Sequence, residues 1–133
     1  MKLLAPCVLS LAASTSTLAQ TTAPALKSAA YAAYFAKNYR QAGQLCDQAW
    51  ALPGTGKAPG DCYDAACSWA LASEATKAFA DPDRALAAGW DNLAHLKIDE
   101  ELASLQADKR WLPFLHKAEA TIARAEARQN LSL

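Results

Sequence analysis

Three of the four cysteines, both histidines and one short acidic run are the residues of this chain whose types could do chemistry. Cys46, Cys62 and Cys67 fall in the middle of the sequence, and His95 and His116 are the only histidines. A structural zinc site wants four Cys or His ligands, usually as closely spaced pairs. No C-x-x-C is present, and Cys62 and Cys67, five positions apart, sit about 500° round a helix and do not face one point. No metal or cofactor is therefore expected. A nucleophilic cysteine needs a lowered pKa and a nearby base; neither histidine lies in a recognisable motif, and no catalytic residue is assigned. Asp99-Glu100-Glu101 has the composition of a cation site or an acid/base pair, but it also has the composition of a helix cap followed by acidic first-turn residues, which the helix dipole favours. The capping reading is preferred. The remaining role for the thiols is architectural: one disulfide and one buried thiol.

Disulfides persist in oxidising compartments, and the N-terminus points to one. Lys2 gives a positive start, Leu3 to Ala13 an apolar run, and Thr17-Leu18-Ala19 a small-residue end before Gln20. That is the three-part pattern of a secretory signal peptide. The apolar run is shorter than the roughly 20 residues a spanning helix needs. Cys7 lies inside this run rather than after it, which argues against a lipid anchor. The expectation is a signal peptide over 1–19, cleaved after Ala19, and a secreted or periplasmic single domain over 20–133. The charge is balanced, with 13 basic and 13 acidic residues. No basic stripe is visible, so nucleic acid is not an expected partner, and no later segment is apolar enough to span a membrane.

The elements that must position these residues read as helices throughout. Alanine is abundant and β-branched residues are few, a composition that favours helices in close contact. From Ala25 to Lys37, Leu26, Ala29, Ala30, Ala33 and Phe35 recur at helical spacing. Asn38 breaks the pattern. Tyr39 to Leu52 carries a stripe of Tyr39, Ala42, Leu45, Cys46, Ala49 and Trp50. Residues 53–60 are rich in Pro and Gly and read as a loop. Asp61 is the expected N-cap of a helix ending near Ala72. The next helix should start after Ser73 and end at Gly89. Pro82 would cost roughly 3 kcal/mol in a helix interior, so Asp81-Pro82 predicts a kink or a restart. Trp90 to Ile98 reads as a connector. Asp99 should cap a short helix burying Leu102 and Leu105. Asp108 should cap the last helix, whose predicted apolar face is Trp111, Leu112, Leu115, Ala118, Ile122 and Ala125. No strand-like alternation is present; the expected class is all-α.

The middle of the sequence matches itself at a shift of 36. Ala42 falls on Ala78, Ala49 on Ala85, Trp50 on Leu86, and Ala29-Ala30 on Ala65-Ala66. Small residues recur where the two helices of a hairpin cross. A helix pair repeated at about 34 residues is the tetratricopeptide period, and two extra residues fit in the 53–60 loop. The segments Tyr39-x-x-Ala42-(x)6-Ala49, Tyr63-Asp-Ala-Ala-Cys-Ser-Trp-Ala-Leu71 and Ala78-(x)6-Ala85 resemble tetratricopeptide repeats. Gly89 to Trp111, with His95-Leu96, Asp99, Leu102, Leu105, Asp108, Arg110 and Trp111, is similar to the closing segment of bacterial repeat proteins of the end-of-group type. The resemblance implies about two antiparallel hairpins followed by C-terminal capping helices, and a role in protein–protein contact. Pro82 departs from it. The resemblance also places Cys67 where similar repeats hold a lone small core residue, which leaves Cys46 and Cys62 as the favoured disulfide; Cys46–Cys67 is the alternative. It implies that the first helix of each hairpin lines a concave face, so Lys27, Tyr31, Tyr34 and Tyr63 are the candidate partner-binding residues. Packing of the tyrosines between helices is the competing reading.

The expectation is thus an exported, non-catalytic interaction module for an unknown protein or peptide. The alternatives are a small cysteine/histidine-dependent exported enzyme, or an accessory domain of a larger periplasmic complex.

Overall fold

A computed structural model describes residues 22–54 and 57–132; the expected signal peptide lies outside them. Helices α1 (Ala23–Phe35) and α2 (Tyr39–Ala51) form one antiparallel hairpin, and α3 (Pro59–Leu71) and α4 (Ala75–Ala87) a second. There follow α5 (Leu93–Ile98), a 3-10 turn (Glu100–Leu102), the short α6 (Ala103–Gln106) and the long α7 (Trp111–Asn130). No strand occurs among the described residues, and the all-α, helical-hairpin expectation holds. None of the described helices is long and apolar enough to cross a membrane.

The self-match seen in the sequence is a structural repeat. All four hairpin helices are 13 residues long, and each helix of the second hairpin starts 36 residues after its counterpart. Both hairpin turns use the same device. Lys37 and Ser73 take positive φ, at 60° and 61°, and the next residue's N–H reaches back to the helix end: Asn38 to the Ala33 carbonyl at 2.8 Å and Glu74 to the Trp69 carbonyl at 2.9 Å. This closes each helix with a left-handed residue, the usual way of satisfying its last carbonyls.

Of the alanines expected at the crossings, Ala30, Ala42, Ala49, Ala65, Ala66, Ala78 and Ala85 are buried, whereas Ala29 is exposed. Gly43, unnoticed in the sequence, is the tightest approach. A Cβ there would meet Trp69 Cδ2 at 2.6 Å, closer than real carbon atoms come, so the Trp69 indole lies directly on the α2 backbone. Its ring nitrogen donates to Asp47 Oδ2 at 3.0 Å, and Lys77 covers it at 4.2 Å.

Larger side chains fill the C-terminal half. Tyr63, Trp69 and Leu86 meet Leu96, Leu102, Leu105, Trp111 and Phe114 in one cluster. Each fully buried leucine is worth about 1.5–3 kcal/mol of transfer free energy, which is what keeps the short elements after α4 attached. One polar tie helps, Ser104 Oγ donating to the Ala70 carbonyl at 3.2 Å, while Gln106 Nε2 donates to the Asp99 carbonyl at 3.1 Å within the segment itself.

Several local expectations are corrected. α4 runs through Pro82 with neither restart nor break. The lost hydrogen bond is offset by tertiary packing, since Ala78, Pro82, Ala85 and Leu86 are all buried. Asp61 is not the N-cap of α3: the helix starts at Pro59, and Asp61 accepts from the Ala58 N–H at 2.9 Å, the third-position half of a cap. Pro59 at the first position needs no N–H there. In α7 the buried stripe is Trp111, Phe114 and Ala118, while Leu112 and Ala125 of the predicted face are exposed.

Candidate functional site

The first helices of the two hairpins, with part of α2 and the 3-10 turn, enclose an open cavity of about 240 Å³. α1 gives it Lys27, Tyr31, Tyr34 and Phe35; α2 gives Cys46 and Ala49; α3 gives Asp61, Asp64, Cys67 and Ser68; Glu101 closes the far wall. Leu26, Ala30 and Ala33 are the buried residues of α1, and Ala30 also forms part of the cavity wall.

Three of the four candidate partner residues therefore come together. Lys27 Nζ pairs with Asp61 Oδ2 at 2.6 Å. The Tyr31 hydroxyl donates to Asp64 Oδ2 at 3.2 Å, and the Tyr34 hydroxyl donates to Glu101 Oε1. Tyr34 also meets Phe35 and Tyr39 edge-to-face, each at 5.6 Å. Tyr31 is 54% exposed and Phe35 78%, so the rim is an aromatic surface open to solvent. Loss of water around the carboxylates raises both Asp64 and Glu101 above the ordinary range. For Asp64, which keeps solvent access at the mouth, the Tyr31 hydrogen bond opposes that rise. The Asp64 charge in turn raises Tyr31.

Tyr63 does not belong to this surface. It is buried, stacks on Trp90 with centroids 4.6 Å apart, and donates to Asp99 Oδ2 at 2.6 Å. The reading that tyrosines pack between helices is right for this one. In the 36-residue register Tyr63 falls on Lys27 of α1, and the segment after α4 lays Trp90 and Asp99 against it.

The expected Cys46–Cys62 disulfide is not formed. Cys46, Cys62 and Cys67 are free thiols, so the alternative Cys46–Cys67 pairing is absent as well. Cys46 lies more than a turn before the end of α2 and lines the cavity, whereas Cys62, in the first turn of α3, is buried and is not part of the cavity wall. Flanking the same loop does not make two side chains face each other. Desolvation pushes Cys46 and Cys62 each up to about 12, and raises Cys67 further, with Asp99 adding to the effect. These are the settings of inert thiols rather than nucleophiles.

Sequence reasoning missed the centre of the polar network. Asp99 is buried, accepts three hydrogen bonds and has a histidine nitrogen beside it. Oδ2 accepts from the Tyr63 hydroxyl and from the Cys67 thiol at 3.7 Å, and lies 3.2 Å from His95 Nε2; Oδ1 accepts from the Glu101 N–H at 2.9 Å. The capping role foreseen for Asp99 is real, but its other oxygen fastens α3 to the closing segment. Tyr63 and Cys67, four apart on one helix face, were the available signal. Among the described residues, Cys67, Asp99 and Glu101 also place a thiol and two carboxylates within 4.8 Å of one another, a donor set of the cation-binding kind. Here those oxygens already accept from Tyr63, Cys67 and Tyr34.

A second buried carboxyl stands on the other side of α3. Asp81 is 1% exposed, 2.9 Å from Arg84 Nη1, which also reaches Asp47 Oδ1 at 3.1 Å. Burial first, and the Asp47 charge second, push Asp81 up to about 7 against the pull of Arg84.

The fold and cavity define a class: an all-α protein of stacked helix hairpins with an open aromatic and acidic cavity on its first-helix face. Comparison with protein families, with curated proteins and with solved structures finds no match to this chain.

Proposed function

We propose that the protein is an exported, non-catalytic interaction module of tetratricopeptide type, which binds a segment of another polypeptide on the α1–α3 face. The observation that carries this reading is the cavity of about 240 Å³ whose rim exposes Tyr31 and Phe35. Exposed aromatic rings beside a cavity supply large contact area at small cost in side-chain entropy. The 36-residue register of two equal hairpins supports the repeat reading. The thiols support a non-catalytic role: Cys67 and His95 both turn to Asp99, and each thiol among the described residues is raised rather than lowered. Export rests on the pattern of residues 1–19.

Photocrosslinking tests the reading. A benzophenone side chain placed at Phe35 in the exported protein should capture a polypeptide that the same group at exposed Leu131, outside the cavity lining, does not. Equal capture from both positions, or none from Phe35, would overturn it. Mass spectrometry of the exported form should find Gln20 as its first residue.

A further inference from the structure

The cavity has a charge as well as a shape. Asp61, Asp64 and Glu101 face it, against the single cation Lys27, which is already paired with Asp61. Its volume, about 240 Å³, is below the roughly 300–1,000 Å³ that holds a drug-sized ligand, and suits one long side chain. An anionic group would meet two carboxylates. An apolar one would strip more water from Asp64 and Glu101, which burial has already raised.

We infer that the cavity is a receptor for a cationic side chain, the arginine or lysine of a partner polypeptide, with its alkyl stem against Tyr31 and Phe35 and its charged head between Asp64 and Glu101. This rests on the interaction-module reading and names the chemistry of its ligand. Each wall supplies one part. Exposed Tyr31 and Phe35 offer ring faces that attract a cation as well as apolar area for the stem. Tyr31 and Tyr34 donate to the two carboxylates and so hold them in place. Each carboxylate retains acceptor positions, since an ionised carboxylate offers about four lone-pair sites, and in a partly dehydrated cavity a charge-assisted bond is stronger than in open water.

The test is a selection from a random displayed-peptide library on the whole protein, followed by fluorescence anisotropy. The titrated peptides are alanine-rich nonapeptides carrying arginine, lysine, norleucine or glutamate at the centre. The expected result is enrichment of arginine or lysine at one position of the selected sequences. The arginine and lysine peptides should bind at least tenfold tighter than the norleucine and glutamate peptides, and the ratio between the first two says which head the cavity prefers. Asp64→Asn and Glu101→Gln should each weaken the cationic peptides about tenfold with an unchanged helical signal. Raising salt from low to high concentration should weaken them in the unaltered protein too, which reads the same charge without a substitution. Selected peptides that lack a cation and bind both variants normally would overturn the inference and leave the interaction module standing. Failure to select any peptide would overturn both.

Discussion

At the scale of single residues, the clearest consequence concerns Asp81. Ionising it costs more in the folded chain than in the unfolded one, because burial and the neighbouring Asp47 charge disfavour the anion. The folded state therefore holds the proton from the ordinary carboxylate range up to about 7, and stability is lost as pH rises through that window. The groups facing Asp81 are Asp47 of α2 and Arg84 of α4, with the Cys62 thiol of α3 near enough to feel its charge. Thermal melting followed by circular dichroism should show the midpoint falling between pH 5 and pH 8. Asp81→Asn should flatten that fall and melt higher than the parent at pH 8. A parent whose melting point rises over the same interval would refute the assignment. Asp81 stood in the sequence beside Pro82, where a kink or a restart was expected; burial in the packed hairpins, with Asp47 approaching from another helix, makes it a titrating group.

At the scale of elements, the two hairpins test one another. Lys37 and Ser73 hold the left-handed conformation at equivalent turns, although neither is glycine. A non-glycine residue there pays roughly 1 kcal/mol. Ser73→Gly should stabilise the protein by about 0.5–1 kcal/mol, read as a shift in the urea midpoint with unchanged slope; a loss of stability would show that the Ser73 side chain contributes something the turn needs. The helices themselves were legible in the sequence, because apolar spacing and breakers act within a few residues. So was the alanine pairing, since a hairpin crossing leaves a repeated small-residue signature. Pro82 was misread for an instructive reason. Its local penalty is real, but Ala78, Ala85 and Leu86 are buried on either side of it, and that packing outweighs one missing hydrogen bond.

At the scale of the whole molecule, Asp99 decides whether the closing segment stays on the array. α5, the 3-10 turn and α6 are each too short to be stable alone. They are held by Leu96, Leu102 and Leu105 in the core and by the Tyr63 and Cys67 bonds to Asp99. Tyr63→Phe removes one donor from a buried carboxylate and should cost about 1–3 kcal/mol. Hydrogen exchange should show the loss concentrated in residues 93–106, with α1 and α2 protected as before. Uniform loss across all helices would mean that Asp99 does not tie the segment on.

From the order of its residues alone, this chain is helical, paired in hairpins and repeated at 36 residues. Those properties follow from backbone propensity and from periodicity, which are local. Which tyrosine faces water and which is buried, where each thiol points, and which carboxyl is stripped of water were decided by the stacking of one hairpin and the closing segment on another. Tyr31 and Tyr63 carry the same side chain on the first helices of two similar hairpins. One is left on an open rim beside Asp64 and the other is locked to Asp99, because the segment after α4 lays Trp90 and Asp99 over the second.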